Sequence, residues 1–251
     1  MKFIQMYWKR FVVVSLIIVT IAIVGFLVWA STPAGVLMPT ALDALESSDT
    51  VMVVQNEWLV FAPIEREPKT GFIFYPGGRV LVDAYAPLGQ QIADEGYLAV
   101  FVPMPLNLAI LNVDAANAVI EAYSEVDHWV IAGHSLGGAM AARYVHNNPN
   151  RVDGLVMMAA FPEVQFDFTE RNLAVASIYG SLDGLATVEE VEASRPLLPD
   201  DAEFILIEGG NHAQFGWYGA QAGDNEAIIS HEEQYEQIVD GVIGVLESVS
   251  Q

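Results

Sequence analysis

Three residues in glycine-flanked turns have the types and the order that acyl-group chemistry needs. They are Ser135 in Gly133-His-Ser-Leu-Gly137, Asp183 in Gly180-Ser-Leu-Asp-Gly184, and His212 in Gly210-Asn-His-Ala-Gln-Phe-Gly216. A serine hydroxyl is a poor nucleophile at neutral pH. It needs a base within hydrogen-bond reach, and the base needs a third group to hold its ring. Ser135 as nucleophile, His212 as base and Asp183 as the group that orients the base fill those roles. Each has a plainer alternative: Asp183 as an Asx-turn or helix cap, His212 as a structural loop histidine, and the serine as part of an ordinary glycine-rich turn.

The other four histidines fit the base role poorly. His134 lies inside the serine turn, with its ring expected to point away from the hydroxyl. His128 precedes the same strand at its opposite end, His146 sits at a helix C-terminus where it suits the helix dipole, and His231 starts the last helix. Ligand-spaced His/Asp/Glu clusters are absent from the sequence, so neither a metal site nor another cofactor is expected.

The serine needs a particular support. Trp129 to Ala132 reads as a short buried strand and Ala139 to His146 as a helix, with the Gly-His-Ser-Leu-Gly turn between them. Strand, sharp turn and helix make a nucleophile elbow, which forces the serine backbone into strain and excludes neighbours with a Cβ. It also leaves the Leu136 N–H at a helix N-terminus, free to stabilise an oxyanion. A second backbone donor is expected in Tyr75-Pro-Gly-Gly-Arg-Val80, from Gly78 or Arg79. The Arg79 side chain suits either an acidic substrate group or a surface salt bridge.

Strands are predicted at Val51–Val54, Trp58–Ala62, Phe72–Tyr75, Tyr97–Val102, Val152–Ala160, Leu173–Tyr179 and Phe204–Ile207, besides the elbow strand. The first two should pair as an antiparallel edge hairpin. Helices are predicted from Asp83 to Gly96, over Asp114–Tyr123 with Asp114 as N-cap, over Val188–Ser194 and over His231–Ser248. This alternation implies an α/β domain with a mainly parallel sheet covered on both faces. Ser135, Asp183 and His212 all follow predicted strands. They therefore share the carboxyl edge of the sheet, where such folds bind ligands.

The chain divides into residues 1–10, an apolar segment 11–29, a linker 30–50 and the domain 51–251. Phe11 to Trp29 carries no charge and as a helix would span about 28 Å, close to a bilayer's hydrocarbon thickness. Lys2, Lys9 and Arg10 precede it and no positive charge follows until Arg66, which predicts a cytoplasmic N-terminus and an extracytoplasmic domain at the cell membrane. An uncleaved single-pass signal anchor is the favoured reading. The competing one is a cleaved signal peptide and a secreted domain, with Val28-Trp29-Ala30 as the cut. Thr40–Glu46 within the linker reads as a short amphipathic helix.

With 251 residues, 53% of them hydrophobic, the chain can hold one large core. Beyond the apolar segment, seven basic residues face all 32 acidic ones, a net charge of −25. That balance argues against a nucleic-acid or anionic-lipid face on the domain. There is no cysteine, which excludes disulfides, thiolate metal sites and a cysteine nucleophile.

From about Val51 to Gln251 the chain resembles the α/β-hydrolases, specifically a compact family with a Gly-His-Ser-Leu-Gly-Gly elbow and an Asn-His-Ala-Gln-Phe-Gly histidine motif. Tyr75-Pro-Gly-Gly78, Gly133-His-Ser-Leu-Gly-Gly138, Gly180-Ser-Leu-Asp-Gly184 and Gly210-Asn-His-Ala-Gln-Phe-Gly216 carry the resemblance. It implies a serine hydrolase acting on a small-molecule ester through Ser135, Asp183 and His212 and an acyl-enzyme, often with an N-terminal membrane segment. Gly219–Glu226 and Ile228–Gln234 resemble the family's tail, with no catalytic role assigned. Pro76 stands where lipase-like relatives often have His, a change that a backbone donor tolerates. Only Phe161 to Arg171 separates two strands, too short for a helical lid. An open site is expected, suited to short acyl esters or a group displayed on a larger molecule and less to long lipids. Phe161, Phe166, Phe168, Phe215 and Trp217 are candidates for its apolar wall, with core packing as the alternative. Rival readings are thioester cleavage or acyl transfer by the same three residues, and a membrane-tethered, non-catalytic binding module on this scaffold.

Overall fold

The computed structural model describes residues 2–250. Its eight strands are β1 (Val51–Gln55), β2 (Leu59–Pro63), β3 (Thr70–Tyr75), β4 (Leu98–Phe101), β5 (His128–His134), β6 (Gly154–Met158), β7 (Ala174–Gly180) and β8 (Glu203–Ile207). They form one sheet in the order β1-β2-β4-β3-β5-β6-β7-β8. β1 and β2 are the expected antiparallel hairpin, and β2 also runs antiparallel to β4; every later pairing is parallel.

The central strands are apolar throughout because both faces are covered. Alternate residues supply two cores. Phe72, Phe74, Val130 and Ala132 point to one side, where α3 (Ala86–Asp94) and α7 (His231–Val249) contribute Leu88, Ile92, Ile238 and Val242. Ile73, Tyr75, Ile131 and Met157 point to the other, against Val119 of α4 (Ala116–Ala122) and Met140 and Tyr144 of α5 (Leu136–Asn147).

Two predicted helices start later than their patterns suggested. Val82–Tyr85 is a 3-10 turn, and α3 begins only at Ala86 with Pro87 in its first turn, where a missing N–H costs nothing. Val113–Ala115 is likewise a 3-10 turn ahead of α4, and Asp114 caps nothing; its carboxylate accepts from Asn148 Nδ2 at 2.9 Å. By contrast α6 (Val188–Ala193) and α7 open on complete capping boxes, Thr187 with Glu190 and Ser230 with Glu233.

α1 (Lys2–Ser31) precedes the domain. Its Arg10–Ser31 portion is long and apolar enough to cross a membrane. The last turn meets the domain: Ala30 is fully buried, and the Arg79 guanidinium stacks on the Trp29 ring at 4.5 Å. The chain beyond runs bonded along the domain. Ala34 N–H donates to Arg79 O (2.7 Å), Val36 N–H to Tyr218 O (3.0 Å) and Met38 N–H to Trp217 O (3.0 Å). The short helix α2 (Pro39–Asp43) then buries Ala41.

Candidate active site

Ser135 occupies the turn between β5 and α5 with φ 52° and ψ −122°, a strained left-handed conformation for a residue with a Cβ. Its N–H donates to Met158 O at 2.9 Å and its carbonyl accepts from Ala139 N–H at 3.1 Å, so both neighbours hold the strain in place. The flanking glycines are there for want of space. A Cβ on Gly137 would lie 2.1 Å from Tyr75 O, and one on Gly133 2.4 Å from Gly137 C. Ser135 stays part-exposed at the carboxyl edge of the sheet.

Asp183 and His212 follow β7 and β8 on that same edge and are joined by a 2.8 Å contact between Asp183 Oδ2 and His212 Nδ1. Both are buried. The second carboxylate oxygen of Asp183 accepts from the Leu185 N–H (2.8 Å) and the Ala186 N–H (2.7 Å), which fixes the orientation of the carboxylate. His212 Nε2 is buried without a hydrogen-bond partner among the described residues, Ser135 included. The structure thus brings Asp183 and His212 into contact, while the Ser135 hydroxyl on the elbow turn makes no hydrogen bond among the described residues.

His134, the last residue of β5, packs its ring against that of His212 with centroids 4.5 Å apart. It also meets Phe215, stacked at 5.5 Å, and the Tyr85 hydroxyl, 2.8 Å from Nδ1. Burial, and then the adjacent His212, hold the His134 imidazole well below the ordinary histidine range, so it is neutral. Tyr85 also accepts from the Gly77 N–H at 3.1 Å and thereby links the loop after β3 to the histidine pair.

In that loop the two candidate donors part company. Arg79, with φ 62°, gives its N–H to Asn107 O at 2.7 Å and its side chain to Thr32 O at 3.0 Å. Its amide is therefore committed elsewhere, which corrects the expectation for Arg79. Its guanidinium, part-exposed, meets the end of α1 rather than an acid. The N–H groups of Gly78 and Leu136 make no hydrogen bond among the described residues. The two loops touch here, since a Cβ on Gly78 would lie 3.4 Å from Leu136 Cδ2.

Of the aromatic candidates for a pocket wall, only Phe161 stays part-exposed. Phe166 is buried with its face on His146 (4.3 Å), and Trp217 is buried with its face on His231 (3.7 Å); Phe168 and Phe215 are interior as well. His146, expected to serve the helix dipole, spends its ring on that stack. A cleft of about 540 Å³ beside the histidine loop is lined by Met38, Gln214, Asp224 and His231, among others, but not by Ser135.

The sequence missed two residues that build the site. Asp224, in the tail with no assigned role, accepts from the Gly184 N–H (3.0 Å) and the Ala213 N–H (2.8 Å), tying the Asp183 loop to the His212 loop. Gln234 of α7, fully buried, donates to Asn211 O (2.8 Å) and accepts from Asn211 N–H (3.0 Å). An amide on the core-facing side of α7 is legible as unusual in its pattern, but its partner is 23 residues away.

An esterase domain from a Rhodothermus marinus protein has a similar structure, with a TM-score of 0.54 at 12% identity over 77% of this chain and 96% of that one. At that identity the likeness speaks for the fold. No curated protein matches the sequence. The alpha/beta hydrolase family model matches residues 71–236, a span that contains the elbow, the Asp183 and His212 loops and the start of α7. The chain belongs to the alpha/beta hydrolase family.

Proposed function

We propose that the protein is a serine esterase in which Ser135, His212 and Asp183 form the catalytic triad. The observation that carries this reading is the buried Asp183–His212 pair at 2.8 Å through Nδ1, with Nε2 left without a partner among the described residues, set beside a strained serine elbow. Ser135 Oγ attacks the ester carbonyl carbon while His212 Nε2 takes the hydroxyl proton. Asp183 holds Nδ1–H and stabilises the imidazolium. The oxyanion accepts from the Leu136 and Gly78 N–H groups, both unpaired and on touching loops. Collapse breaks the bond to the leaving alcohol, which receives the proton from His212. Water, deprotonated by His212, then attacks the acyl-serine and returns the free enzyme and an acid. The missing Ser135–His212 hydrogen bond is compatible with this scheme, because such bonds often tighten only once substrate is bound. The part-exposed serine favours an ester whose acyl portion need not enter a deep pocket.

We further place α1 as an uncleaved signal anchor with the domain outside the cytoplasm, supported by its length, its flanking charges and the packing of its last turn on the domain. Turnover of p-nitrophenyl butyrate by Ser135→Ala and His212→Ala tests the triad. Each should lose at least about 1000-fold in kcat with an unchanged circular dichroism spectrum, and Ser135→Ala should also lose labelling by a fluorophosphonate. Unchanged turnover in either variant would remove that residue from the mechanism.

A further inference from the structure

The end of α1 is seated on the loop that holds the proposed oxyanion donor. Gly78 adjoins Arg79, whose guanidinium lies 4.5 Å from the Trp29 ring and bonds Thr32 O just past the helix. α1 also packs on the 3-10 turn Pro105–Asn107 that follows β4, and Asn107 O accepts from the Arg79 N–H. The chain then stays bonded to Arg79, Tyr218 and Trp217, without a flexible spacer that would let the domain turn away. A tryptophan ending an apolar span sits at headgroup level. Arg79 and Gly78 therefore sit at about that level too, on the edge that carries Ser135.

The same edge exposes apolar side chains. Ile110 and Leu111 follow β4, Val164 follows β6, Leu185 follows β7 and Ile228 is bonded to the turn after β8; Val36 lies in the bonded segment. Val164, Ile228 and Val36 are more than 80% exposed, which is costly in water and favourable at a bilayer surface. With a net charge of −25 on the domain, adhesion would come from these side chains and from the anchor rather than from charge.

We infer that the carboxyl edge of the sheet lies on the bilayer that holds α1, and that the substrate is an ester held in that bilayer with its carbonyl at headgroup level. The shallow serine then suits a lipid-borne ester: the acyl chain stays in the membrane and only the ester rises to Ser135. The inference rests on the anchor and triad readings above.

Because the chain has no cysteine, single labels can be placed cleanly. The full chain is reconstituted into phosphatidylcholine vesicles with a fluorophore at Leu111→Cys, Val164→Cys, Ile17→Cys within α1, or Asp201→Cys at the opposite edge, and brominated lipid is added as quencher. Quenching at Leu111, Val164 and Ile17 but not at Asp201 is expected. A quenched Ile17 label with unquenched Leu111 and Val164 labels overturns the inference and leaves the anchor standing, whereas an unquenched Ile17 label removes both. In parallel, a fluorogenic diacylglycerol in the enzyme's own vesicles should be hydrolysed about tenfold or more faster than the same ester in separate vesicles, an effective-concentration advantage. Hydrolysis of p-nitrophenyl butyrate without that advantage overturns the inference but leaves the esterase; hydrolysis of neither ester removes the esterase reading as well.

Discussion

Asp224 is the residue whose removal best tests how the site is held. Its carboxylate receives the Gly184 N–H at 3.0 Å and the Ala213 N–H at 2.8 Å, and these amides lie next to Asp183 and His212 respectively. Asp224→Ala leaves both part-buried donors without an acceptor. At roughly 1 kcal/mol each, the lower end for groups that water partly reaches, the loss is about 2 kcal/mol. For a domain of this size that lowers Tm by about 4–8 °C. Asp224→Asn keeps one acceptor oxygen and should cost about half as much. The effect on catalysis should be larger than the effect on stability suggests, because the two loops carry the acid and the base separately. A shift of about 1 Å between them costs about 100-fold in rate. Thermal unfolding by circular dichroism and kcat/KM on p-nitrophenyl butyrate read the two effects on the same samples, with Asn intermediate between wild type and Ala in both. A lower Tm with unchanged kcat/KM would show that Asp224 stabilises the fold without positioning the pair. No change in either would refute the clamp.

The parts of this site that local sequence specifies were legible, and the parts that tertiary contact specifies were not. The elbow is local: Gly133, Ser135 and Gly137 fall within five residues, and their steric reason is contained in one turn plus the strand beside it. Apolar runs separated by turn residues likewise announced each parallel strand. The later starts of α3 and α4 were hidden because a 3-10 turn and an α-turn share nearly the same apolar spacing over four residues. Arg79 could not be told from Gly78 as the free donor, because the acceptor that consumes its amide, Asn107 O, lies 28 residues further on. The tail around Asp224 carried no assignable role in sequence. Only the packing of two loops against it turns a surface carboxylate into their shared acceptor. The aromatic residues show the same limit, since a phenylalanine that lines a pocket and one that stacks on His146 have the same sequence neighbourhood.

Two glycines should respond in opposite directions to alanine. Gly137→Ala would drive a Cβ to 2.1 Å from the Tyr75 carbonyl oxygen, where only backbone can yield, and should cost about 4 kcal/mol or prevent folding. Gly244→Ala, in α7 with nothing within 4 Å, should gain about 1 kcal/mol from helix propensity; a Tm that falls would mean that this helix face is not free. The dependence of stability on pH can be traced to His231. Burial lowers its pKa from 6.5 to about 4, its ring lies on Trp217 at 3.7 Å, and Glu232 beside it opposes the shift only in part. Between those two values the unfolded chain binds a proton that the native state refuses. The contribution is therefore complete above pH 6.5 and is lost as pH falls toward 4. The full shift corresponds to about 3 kcal/mol, reduced to about 2 kcal/mol because the ring is partly open to water. His231→Phe keeps an aromatic face on Trp217 and removes the titration, so its Tm should fall less than that of wild type between pH 7 and 4.5. The buried His134, also held neutral, is common to both proteins and cancels in the difference. Parallel Tm curves for the two proteins would place the acid sensitivity elsewhere in the fold.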